Sequence, residues 1–195
     1  MGLTECASIA FANPLDPRER KYGTPGRPLG VEARVVASGG AILDVDEPGE
    51  IQLRGDNVML GYYKAPDITA QSMTADGWFA TGDLGYRDTD GFYFITGRRK
   101  ELIIKGGENI APREIDEALL LHPAVLEAAA VGIPDPHYGQ EILACVVLKP
   151  GAQCGEEESR AHCLHHLGPY KTPKVFRLVT ELPKGPSGRC SDCGW

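Results

Sequence analysis

No stretch of the chain approaches the roughly 18 consecutive apolar residues that a membrane-spanning helix needs. Met1 is followed by "GLTECASIAF", which lacks the charged leader and small-residue cleavage site of a secretory signal. The six cysteines, Cys6, Cys145, Cys154, Cys163, Cys190 and Cys193, are irregularly spaced and outline no disulfide framework. A reducing cytoplasm is therefore the expected setting. Basic residues are in deficit, giving a formal net charge of -7. That excludes a general nucleic-acid or acidic-membrane surface, while leaving room for a local basic site facing phosphates. Repeats and low-complexity tracts are absent too. What remains is globular in character, with 42% hydrophobic and 24% charged residues. Its 195 residues suffice for one ordinary domain or two small ones.

Residues 1–97 read as β-rich with frequent turns. "VEARVV" (31–36) and "GEIQLRG" (49–55) alternate apolar and polar positions with period two, the mark of half-buried strands. "SGGA" and "DEPGE" punctuate them as turns. "APDITAQSMT" (65–74) predicts a short helix with Asp67 as its cap, and "DGFYFITG" (90–97) a turn entering an aromatic strand.

The texture changes after Gly97. "ELIIKGG" predicts a short strand ending in glycines. "APREIDEALLLHP" predicts a helix starting at Pro112 and burying Ile115, Ala118 and Leu119, which are spaced i, i+3, i+4. "AVLEAAAVGIPD" and "EILACVVLKPG" read as paired strands. "GEEESRAHCLHHLG" reads as a helix with its acidic end at the N-terminus, as the dipole prefers, and "KVFRLVTELP" as a last strand. The order β-β-α-β-β-α-β predicts a small α+β domain over 98–195, with a joint near 98–100.

Four segments carry candidate chemistry, each with a plainer reading beside it. In "GLTE", a glycine, a hydroxyl (Thr4) and a carboxylate (Glu5) can hold a phosphate oxygen and a magnesium ion, or form a simple turn. In "GWFATGDLGY", Asp83 can accept hydrogen bonds from both hydroxyls of a ribose, or serve as a turn or cap aspartate. In "TGRRKELIIKGGEN", Arg98 can reach the same ribose or a phosphate, and Gly106 and Gly107 allow close approach because they lack a Cβ. A charged hairpin turn would use the same letters. "LPKGPSGR" (182–189) is a cation-bearing loop, suited to a lid over an anion or to a solvent-exposed tail.

Taken together, "GLTE", "GEIQLRG", "GYY", "DGWFATGDLG", "GRRKELIIKGGENIAPREIDEAL" and "PKGPSGR" resemble, in order and spacing, the carboxyl-terminal part of the AMP-forming acyl-CoA synthetase superfamily. The resemblance covers essentially the whole chain. It implies an α+β fold: the end of a β-rich, distorted-barrel subdomain over 1–97, then a small mobile domain with a short sheet and flanking helices. It also implies a two-step ligase acting on a carboxylic acid, with ATP, Mg2+ and coenzyme A, and releasing AMP. Thr4 would then contact phosphate, Glu5 would bind magnesium, and Asp83 and Arg98 would hold the ribose. Lys100 would be the hinge, Gly106 and Gly107 would line the thiol's approach, and Tyr170 would stack on the CoA adenine.

Two departures stand out. The family's late loop ends in lysine where this chain has Arg189, a planar fork in place of a compact ammonium. The family also carries a Ser/Thr/Gly-rich phosphate loop and most of its acid pocket upstream of "GLTE". The chain thus reads as a piece of a longer enzyme, its N-terminal portion missing, and is expected to be inactive alone. A peptide-synthetase adenylation domain and a non-catalytic remnant are the rival readings. Cys190 and Cys193 form a CxxC without the second pair that zinc usually needs, and His162, Cys163 and His166 read as a polar helix face more readily than as a metal site.

Overall fold

The computed structural model describes residues 1–183, and the chain divides between Arg99 and Lys100 into two compact units. Cys190, Cys193 and Arg189 lie outside the described residues.

The first unit opens with a single 3-10 turn, Thr4–Cys6, and a short antiparallel pair, β1 (Phe11–Ala12) with β2 (Arg27–Pro28). Its body is a four-stranded antiparallel sheet made of β3 (Glu32–Val36), β4 (Gly49–Arg54), β5 (Phe79–Arg87) and β6 (Tyr93–Arg98), paired in that order. The alternation read in β4 separates two faces. Ile51 and Leu53 enter an apolar cluster with Phe11, Val35, Phe79 and Tyr93. Gln52, between them, is also buried, because Arg34 donates to its Oε1 at 2.8 Å and the Arg34 and Arg54 guanidinium groups cover Trp78 at 4.3 and 4.5 Å. The helix α1 (Pro66–Ser72) forms where expected, but its cap does not. Ala65 occupies the N-cap with no side-chain hydrogen bond, and Asp67 lies inside the first turn, where its charge still suits the helix dipole.

The second unit contains β7 (Ile103–Lys105), β8 (Glu108–Ile110), α2 (Pro112–Leu120), β9 (Val125–Asp135), β10 (Gly139–Leu148), α3 (Glu156–Lys171) and β11 (Val175–Leu178). This is the order expected from the sequence. Strand β10 lies between β9, antiparallel to it, and β11, parallel to it, and meets β7 where Gly139 pairs with Lys105. Being covered on both faces, β10 divides its alternate side chains between two cores. Ile142, Ala144 and Val146 pack with Ile115 and Leu119 of α2 and Cys163 of α3, whereas Leu143, Cys145 and Val147 pack with Leu182. Helix α3 is interrupted at Gly168 (φ 74, ψ 174), where Pro169 follows, so that Tyr170 and Lys171 belong to a separate last turn. Among the described residues, no helix is long and apolar enough to cross a membrane.

Candidate functional site

Asp83 sits in neither a turn nor a helix cap; it lies on β5 directly opposite Arg98 of β6. Gly82 before it takes a left-handed φ of 73°, and the β5–β6 register shifts just after it, between Leu84 and Gly85. Such a bulge re-aims the side chains beside it. The Thr81 hydroxyl braces the segment, accepting from the Asp83 N–H at 3.0 Å and donating to the Ile51 carbonyl at 2.7 Å. Arg98 Nε stands 2.9 Å from Asp83 Oδ1. The aspartate side chain is 3% exposed and the arginine 50% exposed, so the pair is an anchored carboxylate with a cation reaching into solvent. The carboxylate can accept hydroxyl donors, and the guanidinium can meet an anion.

Thr4 and Glu5 form the 3-10 turn. A Cβ on Gly2 would fall 1.9 Å from the Ser8 carbonyl oxygen, so backbone packing alone requires glycine here. Glu5 Oε1 accepts from the Tyr62 hydroxyl at 3.0 Å, and the Glu5 carbonyl accepts from the Met59 N–H at 2.7 Å. Burial and the adjacent Glu5 carboxylate both raise the Tyr62 hydroxyl pKa. The sequence alone does not mark Tyr62 as a site residue. Its signal lay in "GYY", but a partner 57 positions away in sequence cannot be read from the motif alone. Half-buried Glu5 offers a hard oxygen donor, and Mg2+ is commonly held by one or two carboxylates together with substrate phosphates, so the residue fits that ion.

In the second unit, Gly106 and Gly107 make the β7–β8 turn with φ of 57° and 88°, conformations that favour glycine. The Gly106 N–H donates to the Tyr138 carbonyl at 2.9 Å. A Cβ on Gly106 would meet the Tyr170 hydroxyl at 3.1 Å, whereas one on Gly107 would meet nothing within 4 Å. The outer rim of the turn is therefore open backbone. The Tyr170 hydroxyl donates to the Lys105 carbonyl just before the turn. Lys100 is exposed, in a 3-10 turn spanning Arg99–Glu101.

The histidine-rich face has a structural explanation. Cys163 is fully buried among apolar residues, which push its thiol up to about 11, while His162 Nε2 donates to the Ala118 carbonyl at 2.8 Å. His122, Cys154 and Glu158 also converge, their ligand-type atoms all within 4.8 Å. The Ala124 N–H donates to His122 Nδ1 at 3.3 Å, so in the neutral ring Nε2 carries the proton. It is this N–H, not a lone pair, that faces Cys154 Sγ at 4.0 Å and Glu158 Oε1 at 3.5 Å.

Residues 1–63 match the family model "AMP-binding enzyme" and residues 114–189 match "AMP-binding enzyme C-terminal domain". A sulfoacetate–CoA ligase of Cupriavidus necator is 64% identical over 97% of this chain and 37% of its own length. An oxalate–CoA ligase of Arabidopsis thaliana is 41% identical over 96% of the chain and 36% of its own length. The chain thus spans little more than a third of the curated relatives it matches. Among solved structures, ATP-bound MatB from Rhodopseudomonas palustris matches with a TM-score of 0.89 and 36% identity, over 96% of this chain and 37% of that one. The Bacillus subtilis o-succinylbenzoate CoA synthetase, in complex with its acyl-adenylate intermediate, matches with a TM-score of 0.86 and 36% identity, over 97% and 38%. The chain belongs to the AMP-forming acyl-CoA synthetase superfamily and carries its carboxyl-terminal domain together with part of the AMP-binding region.

Proposed function

We propose that this chain serves an ATP-dependent acid–CoA ligase. The observation that carries the reading is the buried Asp83 paired with half-exposed Arg98, in a chain that follows an ATP-bound relative over 96% of its residues. In the first half-reaction a substrate carboxylate oxygen attacks the α-phosphorus of ATP and expels pyrophosphate, giving an acyl-adenylate. In the second, the CoA sulfur attacks the acyl carbonyl, its proton is lost, and AMP leaves with the C–O bond electrons.

Asp83 accepts the ribose hydroxyls and Arg98 supports that contact. Thr4 donates to phosphate, and Glu5 holds Mg2+, which supplies charge neutralisation on the phosphates when bound. Arg189, outside the described residues, takes the place of the loop lysine. Lys100 is the joint whose backbone turns between the half-reactions, and Gly106 and Gly107 give the thiol an unobstructed approach. Tyr170 is the candidate aromatic surface for the CoA adenine. The cytoplasm is the proposed compartment, which suits the buried thiols Cys6, Cys154 and Cys163.

Sulfoacetate is the first acid to test, given the 64% identity with a sulfoacetate–CoA ligase. Full-length protein should be given ATP, Mg2+, CoA and, separately, sulfoacetate, oxalate, 2-succinylbenzoate and a fatty acid. The expected products with one of these acids are AMP, pyrophosphate and an acyl-CoA. Transfer of the acyl group only to a carrier protein, or turnover of none of the acids, would overturn the reading.

A further inference from the structure

Two opposite charges are buried beneath the glycine turn. Lys105 Nζ lies 2.6 Å from Glu141 Oε1, and the side chains are only 9% and 6% exposed. Lys105 also donates to the Tyr170 carbonyl at 3.0 Å, and its ammonium lies 5.1 Å from the Tyr170 ring centroid and 5.8 Å from that of Tyr138. Tyr170 returns the contact through its hydroxyl, which donates to the Lys105 carbonyl. Glu141 Oε1 accepts in addition from the Ile142 N–H at 3.0 Å. Burying such a pair stabilises a fold poorly, since desolvation offsets much of the attraction and well-packed apolar residues often do as well. What the pair supplies is direction.

The backbone around the turn is held from outside the hairpin at successive residues. The Ile104 N–H donates to Gln140 Oε1 at 2.6 Å, the Lys105 carbonyl accepts from Tyr170, and the Gly106 N–H donates to the Tyr138 carbonyl. The anchors come from β10, the last turn of α3 and the β9–β10 turn. Only the Gly107 rim is left facing open space.

We propose that Lys105, Glu141 and the Tyr170 hydroxyl are positioning residues that fix the Gly106–Gly107 turn for thiol capture. This role rests on the ligase reading above. Lys105 and Glu141 act through the backbone and touch no substrate.

The test uses the full-length enzyme and separates its half-reactions in single turnovers. Lys105→Met and Glu141→Gln should each slow acyl transfer to CoA about tenfold or more, because a misplacement near 1 Å can cost on the order of 100-fold. Acyl-adenylate formation should stay within about twofold, and kcat for transfer should fall by more than KM for CoA rises. Tyr170→Phe keeps the ring and should slow transfer by a few-fold. The apolar swap Lys105→Met/Glu141→Leu should restore thermal stability without restoring transfer. Recovery of transfer in the swap, equal slowing of both half-reactions, or normal transfer in Tyr170→Phe would overturn the positioning role. A wild-type enzyme that makes no acyl-CoA would instead overturn the ligase reading, before any variant is compared.

Discussion

Asp83 carries the nucleotide reading at the residue scale. Its carboxylate is withdrawn from water, yet its cross-strand partner Arg98 is half exposed, so the pair is built into the sheet on one side only. In full-length enzyme, Asp83→Asn removes the charge and keeps the shape. Hydrogen bonds to a charged group contribute roughly 1.5–3 kcal/mol, so AMP and ATP should bind about 10- to 100-fold more weakly by calorimetric titration. Unchanged affinity would mean that Asp83 only anchors β5 to β6. Gly107→Ala probes the other unit. The left-handed φ of 88° should cost about 1–2 kcal/mol in unfolding free energy, although no atom lies within 4 Å of the added Cβ. On the proposed reading it should also slow acyl transfer, whereas a loss of stability alone would make the turn purely architectural. Asp83, Arg98 and the glycine pair stand out in the sequence as candidates because short motifs name them. Tyr62 and Glu141 do not, because their partners lie 57 and 36 positions away.

Elements with a regular period were also legible. Ile115, Ala118 and Leu119 of α2 are all buried, as their spacing required, and β9 pairs with β10 along nearly its whole length. Strand β5 was less so. "FATGDLGYR" breaks its alternation because Gly82 bulges the strand at the point where Asp83 is presented. The displaced cap of α1 is a similar case, since Pro66 sets the first turn and leaves Ala65 as the cap. Buried charge also escapes periodicity. Asp116 of α2 accepts the Ala130 N–H of β9 at 2.6 Å. Burial, reinforced by the Glu117 and Glu101 charges, pushes its carboxyl up to about 7. A carboxyl raised in the folded state binds its proton more tightly there than when unfolded. Its contribution is complete below the unfolded value of 3.8 and is lost as pH rises through about 7. From this group alone, stability should fall across that window by at most about 1.4 kcal/mol per pH unit. Asp116→Asn keeps an acceptor for Ala130 and should flatten the decline, as read from denaturant unfolding at about pH 5 and about pH 8. An equally steep decline in the variant would assign the pH dependence elsewhere.

At the scale of the whole molecule, the chain changes character where the charged stretch begins, and the two compact units divide between Arg99 and Lys100. The proposed chemistry asks one protein to stabilise two different transition states in succession, and a backbone joint at Lys100 is the proposed means. The side chain of Lys100 is exposed in a single 3-10 turn, so its replacement should disturb little packing. Proline at this position fixes φ at about −65° and moves the preceding Arg99 away from helical values. The decisive measurement is single-turnover kinetics of each half-reaction in full-length Lys100→Pro, with Lys100→Ala as the control for the lost side chain. The account predicts that proline leaves acyl-adenylate formation largely intact and cripples transfer to CoA, while alanine leaves transfer largely unaffected. Equal losses in both half-reactions, or the same loss in the alanine control, would contradict it.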